Sequence, residues 1–119
     1  MYSVEVTASF SSAHRLRGYR GKCEALHGHN WRVTVMIASN KLDKIGMLID
    51  FKRVKKALAK VMEKMDHKFL NSLPYFKKIN PTSENIAKYI YQELHKGGLK
   101  VGTVTVWESE NCRATYAQD

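Results

Sequence analysis

The chain is short of several things, and each shortage excludes a class. It has two cysteines, Cys23 and Cys112, in 119 residues. That is too few for a disulfide scaffold and fits reduced thiols in a cytoplasmic protein. It has only two prolines, Pro74 and Pro81, and no low-complexity tract, linker or internal repeat. One domain spanning 1–119 follows, large enough for a core but not for two. No apolar run approaches the roughly 20 residues that a membrane helix needs. The first residues alternate polar and apolar, so no signal peptide is expected. Acidic residues are also scarce: 11 against 20 Lys and Arg, a net charge of +9.

That excess predicts attraction to anions. The basic residues show no aromatic interleaving in sequence, so a nucleic-acid partner is not expected. Lys52, Arg53, Lys55, Lys56, Lys60 and Lys64 fall on the polar side of one helical pattern and read as a solvated face. Arg15, Arg17, Arg20 and Lys22 lie between His14 and Cys23, where a phosphorylated small molecule could meet them.

What is present is periodic. Residues 2–14 alternate, with Tyr2, Val4, Val6, Ala8 and Phe10 on one face. Residues 29–38 alternate likewise, and the loop 15–26 makes the pair a long hairpin. Asp50 caps a helix whose apolar positions run Phe51, Val54, Ala57, Leu58, Val61, Met62, Met65. Thr82 or Ser83 caps a second helix, which Gly97-Gly98 ends. Val101–Ser109 and Cys112–Ala117 close the chain as a second hairpin. The expected fold is α+β, in the order ββααββ: a small antiparallel sheet with two helices on one face. Its two unpaired edges call for neighbouring chains.

The densest chemistry is Cys23-Glu24-Ala25-Leu26-His27-Gly28-His29, with His14 upstream. His27 and His29 are two apart, so in extended backbone their rings point one way. His14 continues the even-numbered face of the first strand. Three imidazoles with an open position suit a catalytic zinc ion. Cys23 is either a thiolate activated by its basic neighbours, a fourth ligand or a buried hydrophobe. Asp66-His67 is either a helix-end dipole contact or a carboxylate-steered proton shuttle. Glu108 shares the apolar phase of Val104 and Val106, which is costly for a carboxylate without a dedicated partner. It is either a solvated strand end or an acceptor for two adjacent N–H donors. His95 and Cys112 read as structural. From a different class, the rival is a basic nucleic-acid-binding protein with a structural zinc; there Cys23 would close the metal shell.

His14, Cys23-x-x-x-His27-Gly28-His29, Asp66-His67, Pro81-Thr82-Ser83-Glu84 and Glu108 together resemble, in order and over the whole chain, the 6-pyruvoyl-tetrahydropterin synthase family. The short length, without insertions, is closer to its 6-carboxytetrahydropterin (queuosine pathway) branch. The resemblance implies a tunnelling T-fold whose hairpins join those of neighbours in a trimeric barrel, two rings stacking as a homohexamer with sites between subunits. It implies a lyase acting on 7,8-dihydroneopterin triphosphate with Zn2+ on His14, His27 and His29. Cys23, Asp66 and His67 would be catalytic, and Glu108, Thr82 and Glu84 would bind the pterin. Glu24, beside Cys23, is a possible accessory base. It keeps pyruvoyl and hydroxymethyl products open as alternatives to the carboxylate.

Overall fold

The structure, a computed structural model, describes residues 1–19 and 25–119. Cys23 and Glu24 therefore lie outside the described residues.

Strand β1 (Tyr2–His14) and strand β2 (His27–Ser39) form the long hairpin, paired in antiparallel register from Tyr2↔Ser39 to His14↔His27. Helix α1 (Phe51–Met65) follows, and its cap is the expected one: the Asp50 carboxylate accepts the Lys52 N–H at 2.9 Å. Helix α2 (Ser83–Lys96) starts at Thr82, whose hydroxyl accepts the Asn85 N–H at 3.1 Å. It ends at Gly97, and Gly98 turns the chain with φ +90°, a conformation that glycine adopts without strain. Strands β4 (Thr103–Trp107) and β5 (Arg113–Tyr116) complete the sheet.

The sheet has five strands, not four, in the order β3-β1-β2-β4-β5. The extra member is β3 (Lys68–Phe69), which pairs parallel to Ser12 and Ala13 and makes the sheet mixed. Two residues cannot show a period, so this strand had no signature to read. Two short 3-10 turns, at Leu70–Ser72 and Pro74–Phe76, lie between β3 and α2. Cys112 precedes β5 and is exposed rather than packed.

Alternation decides which face meets the helices. Val6, Phe10, Trp31, Val33, Val35, Val104 and Val106 are buried beneath Val54, Leu58, Met65, Ile86, Ile90 and Leu94. Each large apolar side chain so buried contributes about 1.5–3 kcal/mol. The opposite face carries Glu5, Thr7, Arg32, Thr34, Thr105 and Arg113, with the Trp107 ring between the Arg32 and Arg113 guanidinium groups at 4.1 and 4.7 Å. The basic residues of α1, from Lys52 to Lys64, are all exposed, as expected of a solvated face. His95 is structural as well: its Nε2 accepts the Val101 N–H at 3.1 Å, and its ring stacks on Tyr91 at 4.1 Å. Among the described residues no helix is long and apolar enough to cross a membrane.

Both ends of the sheet are open. Beyond Ser12 and Ala13, the outer edge of β1 has no partner strand among the described residues, and neither has β5.

Candidate metal centre and its surroundings

The hairpin register assembles the site. His14 and His27 are cross-strand partners, and Ser12 faces His29 one step inward. Partners in an antiparallel pair share a face. All three imidazoles therefore emerge on the helix side, at the end of the sheet where the core stops. Trp31 is fully buried beneath them, with edge-on contacts to His14 at 4.9 Å and His29 at 5.2 Å. Its indole N–H donates to the Ser12 carbonyl at 3.2 Å, which fixes this apolar floor.

The ring nitrogens are prepared for a metal. His14 Nδ1 lies 2.8 Å from the Pro81 carbonyl, and His27 Nδ1 lies 2.8 Å from the Ala25 carbonyl. A carbonyl only accepts, so in both neutral rings the proton is on Nδ1 and Nε2 carries the lone pair. Those two lone pairs face each other, with His14 Nε2 and His27 Nε2 only 3.1 Å apart. Without a cation or a shared proton that arrangement is repulsive. Metal–imidazole bonds of about 2.0–2.1 Å at tetrahedral angles bring ligand nitrogens to a similar separation. Histidine ligands also commonly give their other N–H to a backbone carbonyl.

His29 adds a third observation. Its Nε2 is buried and has no hydrogen-bond partner among the described residues. It lies 2.9 Å from Glu108 Oε1 but out of line for a hydrogen bond. Glu108 Oε1 is also 3.9 Å from His14 Nε2. One ligand atom each from His14, His27, His29 and Glu108 falls within 4.8 Å of the others, a group able to hold a metal ion. Burial, above all, holds the His14 and His29 pKa values below the ordinary histidine value, so both rings stay neutral and able to ligate.

Glu108 stands where its phase puts it, on the helix-facing side just past β4. Reading the sequence separated it from the metal ligands; the structure joins them. Its second oxygen accepts from the Ser83 hydroxyl at 3.4 Å. The sequence reading had Ser83 as an alternative cap and as part of the Pro81-Thr82-Ser83-Glu84 motif, with no role at the site.

The other expected residues are distributed differently. Asp66 Oδ1 accepts the Ser11 N–H at 2.8 Å and Oδ2 lies 3.0 Å from His67 Nδ1. The first of these contacts, chiefly, lowers the Asp66 pKa, and the second lowers it further. His67 has a φ of +55° and a side chain 83% exposed, and it is not part of its own chain's metal group. Thr82 spends its acceptor on the helix cap, and Glu84 is exposed in the first turn of α2.

Arg17 is tied to distant backbone. Its guanidinium donates to the Phe76 carbonyl at 2.6 Å and to those of Asn71 and Ile79 at 3.5 Å. One short bond and two long ones thus tie it to backbone, while the residue stays exposed at the surface. Arg20 and Lys22 lie outside the described residues.

A model of the 6-pyruvoyl tetrahydropterin synthase family matches residues 3–119. The chain belongs to this family. A putative 6-carboxy-5,6,7,8-tetrahydropterin synthase of Archaeoglobus fulgidus is 41% identical over 108 residues, covering 91% of this chain and 89% of that one. The 6-carboxy-5,6,7,8-tetrahydropterin synthase of Haemophilus influenzae is 32% identical, covering 99% and 100%. The solved 6-pyruvoyl tetrahydropterin synthase of Caenorhabditis elegans superposes with a TM-score of 0.90 at 30% identity, covering 99% and 96%. Family membership displaces the rival reading of a nucleic-acid-binding protein with a structural zinc.

Proposed function

We propose that this chain converts 7,8-dihydroneopterin triphosphate to 6-carboxy-5,6,7,8-tetrahydropterin, consuming water and releasing acetaldehyde and triphosphate. The observation behind the chemistry is the convergence of three imidazole Nε2 atoms beside a carboxylate. Support for this product comes from the relatives, which carry the carboxytetrahydropterin name. Zinc held by His14, His27 and His29 would supply Lewis acidity for side-chain hydroxyls and for developing negative charge.

The chain's own residues divide the remaining work. Cys23 is the base that moves protons on the side-chain carbons. Asp66 steers His67: a proton on Nδ1, facing the carboxylate at 3.0 Å, leaves the Nε2 lone pair outward to relay a proton. Glu108 accepts two N–H groups from the amino-oxo edge of the pterin, with Ser83 orienting it. Thr82 and Glu84 close the pterin pocket. Thiol chemistry of this kind belongs in the reducing cytoplasm.

Glu108→Gln separates the two uses of that carboxylate. If it anchors the pterin, the substitution turns one acceptor into a donor. Pterin binding should then weaken by about 2–4 kcal/mol in calorimetry, while metal content stays unchanged. The 2.9 Å approach to His29 favours a second reading, in which Glu108 is a fourth ligand. A fall in metal content would establish that reading and end the anchoring one.

The open edges of β1 and β5 pair with neighbours in a closed ring, and two rings make a hexamer. His67, exposed beside the β1 edge, then serves a neighbour's site. Light scattering is expected to report a multiple of three chains; a stable monomer at micromolar concentration would rule out the shared site.

A first test of the whole reading is mass spectrometry of products from the zinc-loaded protein and dihydroneopterin triphosphate. Hydroxymethyl- or pyruvoyl-pterin as the main product would overturn the choice of reaction.

A further inference from the structure

Immediately after His14 the chain leaves the sheet, yet it is not released. Asn71 binds both backbone groups of Arg15: its Oδ1 accepts the Arg15 N–H at 2.9 Å and its Nδ2 donates to the Arg15 carbonyl at 2.9 Å. Asn80 does the same to Arg17, at 2.9 and 2.8 Å. Two side-chain amides thus take alternate residues of the chain, as a neighbouring strand would. The segment that follows β1 is held as if the strand continued.

The two clamps differ in what else they touch. Asn80 directly precedes Pro81, whose carbonyl orients His14. The Asn80 carbonyl accepts from the Asn85 side chain at 2.9 Å and from the Thr82 N–H at 2.9 Å. Pro81 is therefore fixed on one side by Asn80 and on the other by the Thr82 cap. Next along the chain, Ser83 reaches Glu108. Asn71 has no such neighbour; it is nine-tenths buried beside the 3-10 turns.

We propose that Asn80 is a positioning residue for the metal centre. It holds the Pro81 carbonyl where it fixes the tautomer and direction of His14. This rests on the reading that His14, His27 and His29 hold a metal. An outer partner of a metal-bound histidine typically influences affinity by 10–100-fold. Asn71, making the same two bonds to the same segment, supplies stability without touching that carbonyl.

The test compares Asn80→Ala, Asn80→Asp and Asn71→Ala by cobalt(II) affinity, measured by competition with a chromophoric chelator, and by the melting temperature of metal-free protein. Asn80→Ala is expected to raise the cobalt Kd about 10–100-fold. Asn80→Asp, which keeps the acceptor for the Arg17 N–H, should fall between it and wild type. Asn71→Ala should lower the melting temperature at least as much yet change the Kd by less than about threefold. If Asn80→Ala does not fold, the ordering of Asn80→Asp against Asn71→Ala decides. A Kd that tracks the loss of melting temperature across all three variants would make Asn80 merely structural. Wild-type protein that takes up no cobalt would remove the metal reading and this proposal with it.

Discussion

His29→Ala is expected to empty the metal centre. Removing one of three converging imidazoles should weaken metal binding by more than about 100-fold, since even outer partners cost 10–100-fold. Metal analysis should show about one ion per wild-type chain and close to none in the variant, and His27→Ala should behave alike. Cys23→Ala should keep its metal; loss of the ion there would mean a closed site with a thiolate ligand. Acid should mimic the histidine variants, because protons compete for Nε2. Burial lowers the folded pKa of His14 and His29 below 6.5, so the unfolded chain binds their protons more tightly. Their contribution to stability is therefore complete above pH 6.5 and is lost as pH falls through the depressed folded values. Bound metal should accordingly persist to a lower pH than an ordinary histidine would allow. Release beginning well above pH 6.5 would contradict this picture of the site.

Cys23→Ala is expected to lower turnover by about 10²–10⁴-fold, the usual worth of a positioned general base. Metal content and pterin affinity should survive, because neither uses the thiol. Glu24→Ala should leave carboxytetrahydropterin formation largely intact. A carboxylate one residue from the thiol would stand differently against the side-chain carbons and could withdraw a different proton. If wild-type enzyme makes mainly hydroxymethyl-pterin and Glu24→Ala alone abolishes it, the reaction assigned here is wrong. The metal assignment would remain.

Strand phase made much of the centre legible. His14 on the even face of β1, and His27 and His29 two apart in β2, have only one way to meet once the hairpin pairs. Glu108 was equally visible, as a carboxylate in phase with Val104 and Val106. The caps at Asp50 and Thr82 were written in local chemistry, and local chemistry is what forms there. Strand β3 was not legible, because two residues have no period and their pairing depends on where α1 ends. The backbone contacts of Arg17 were hidden for a related reason. Charge in a sequence announces affinity for anions, but the three carbonyls that engage this guanidinium lie more than fifty residues away.

The sequence by itself determined the order of the two helices and the four longer strands, the face their side chains take and the residue types of the metal group, since each follows from a period of two or 3.6 and from short-range capping. Only the tertiary structure decided the partners. It set the Pro81 and Ala25 carbonyls on the two Nδ1 atoms, brought Glu108 within 2.9 Å of His29, and locked Arg15 and Arg17 to two distant asparagines. Backbone carbonyls carry no side-chain identity, so no residue type in the sequence marks which of them will orient a ligand. That choice is made only when the elements pack.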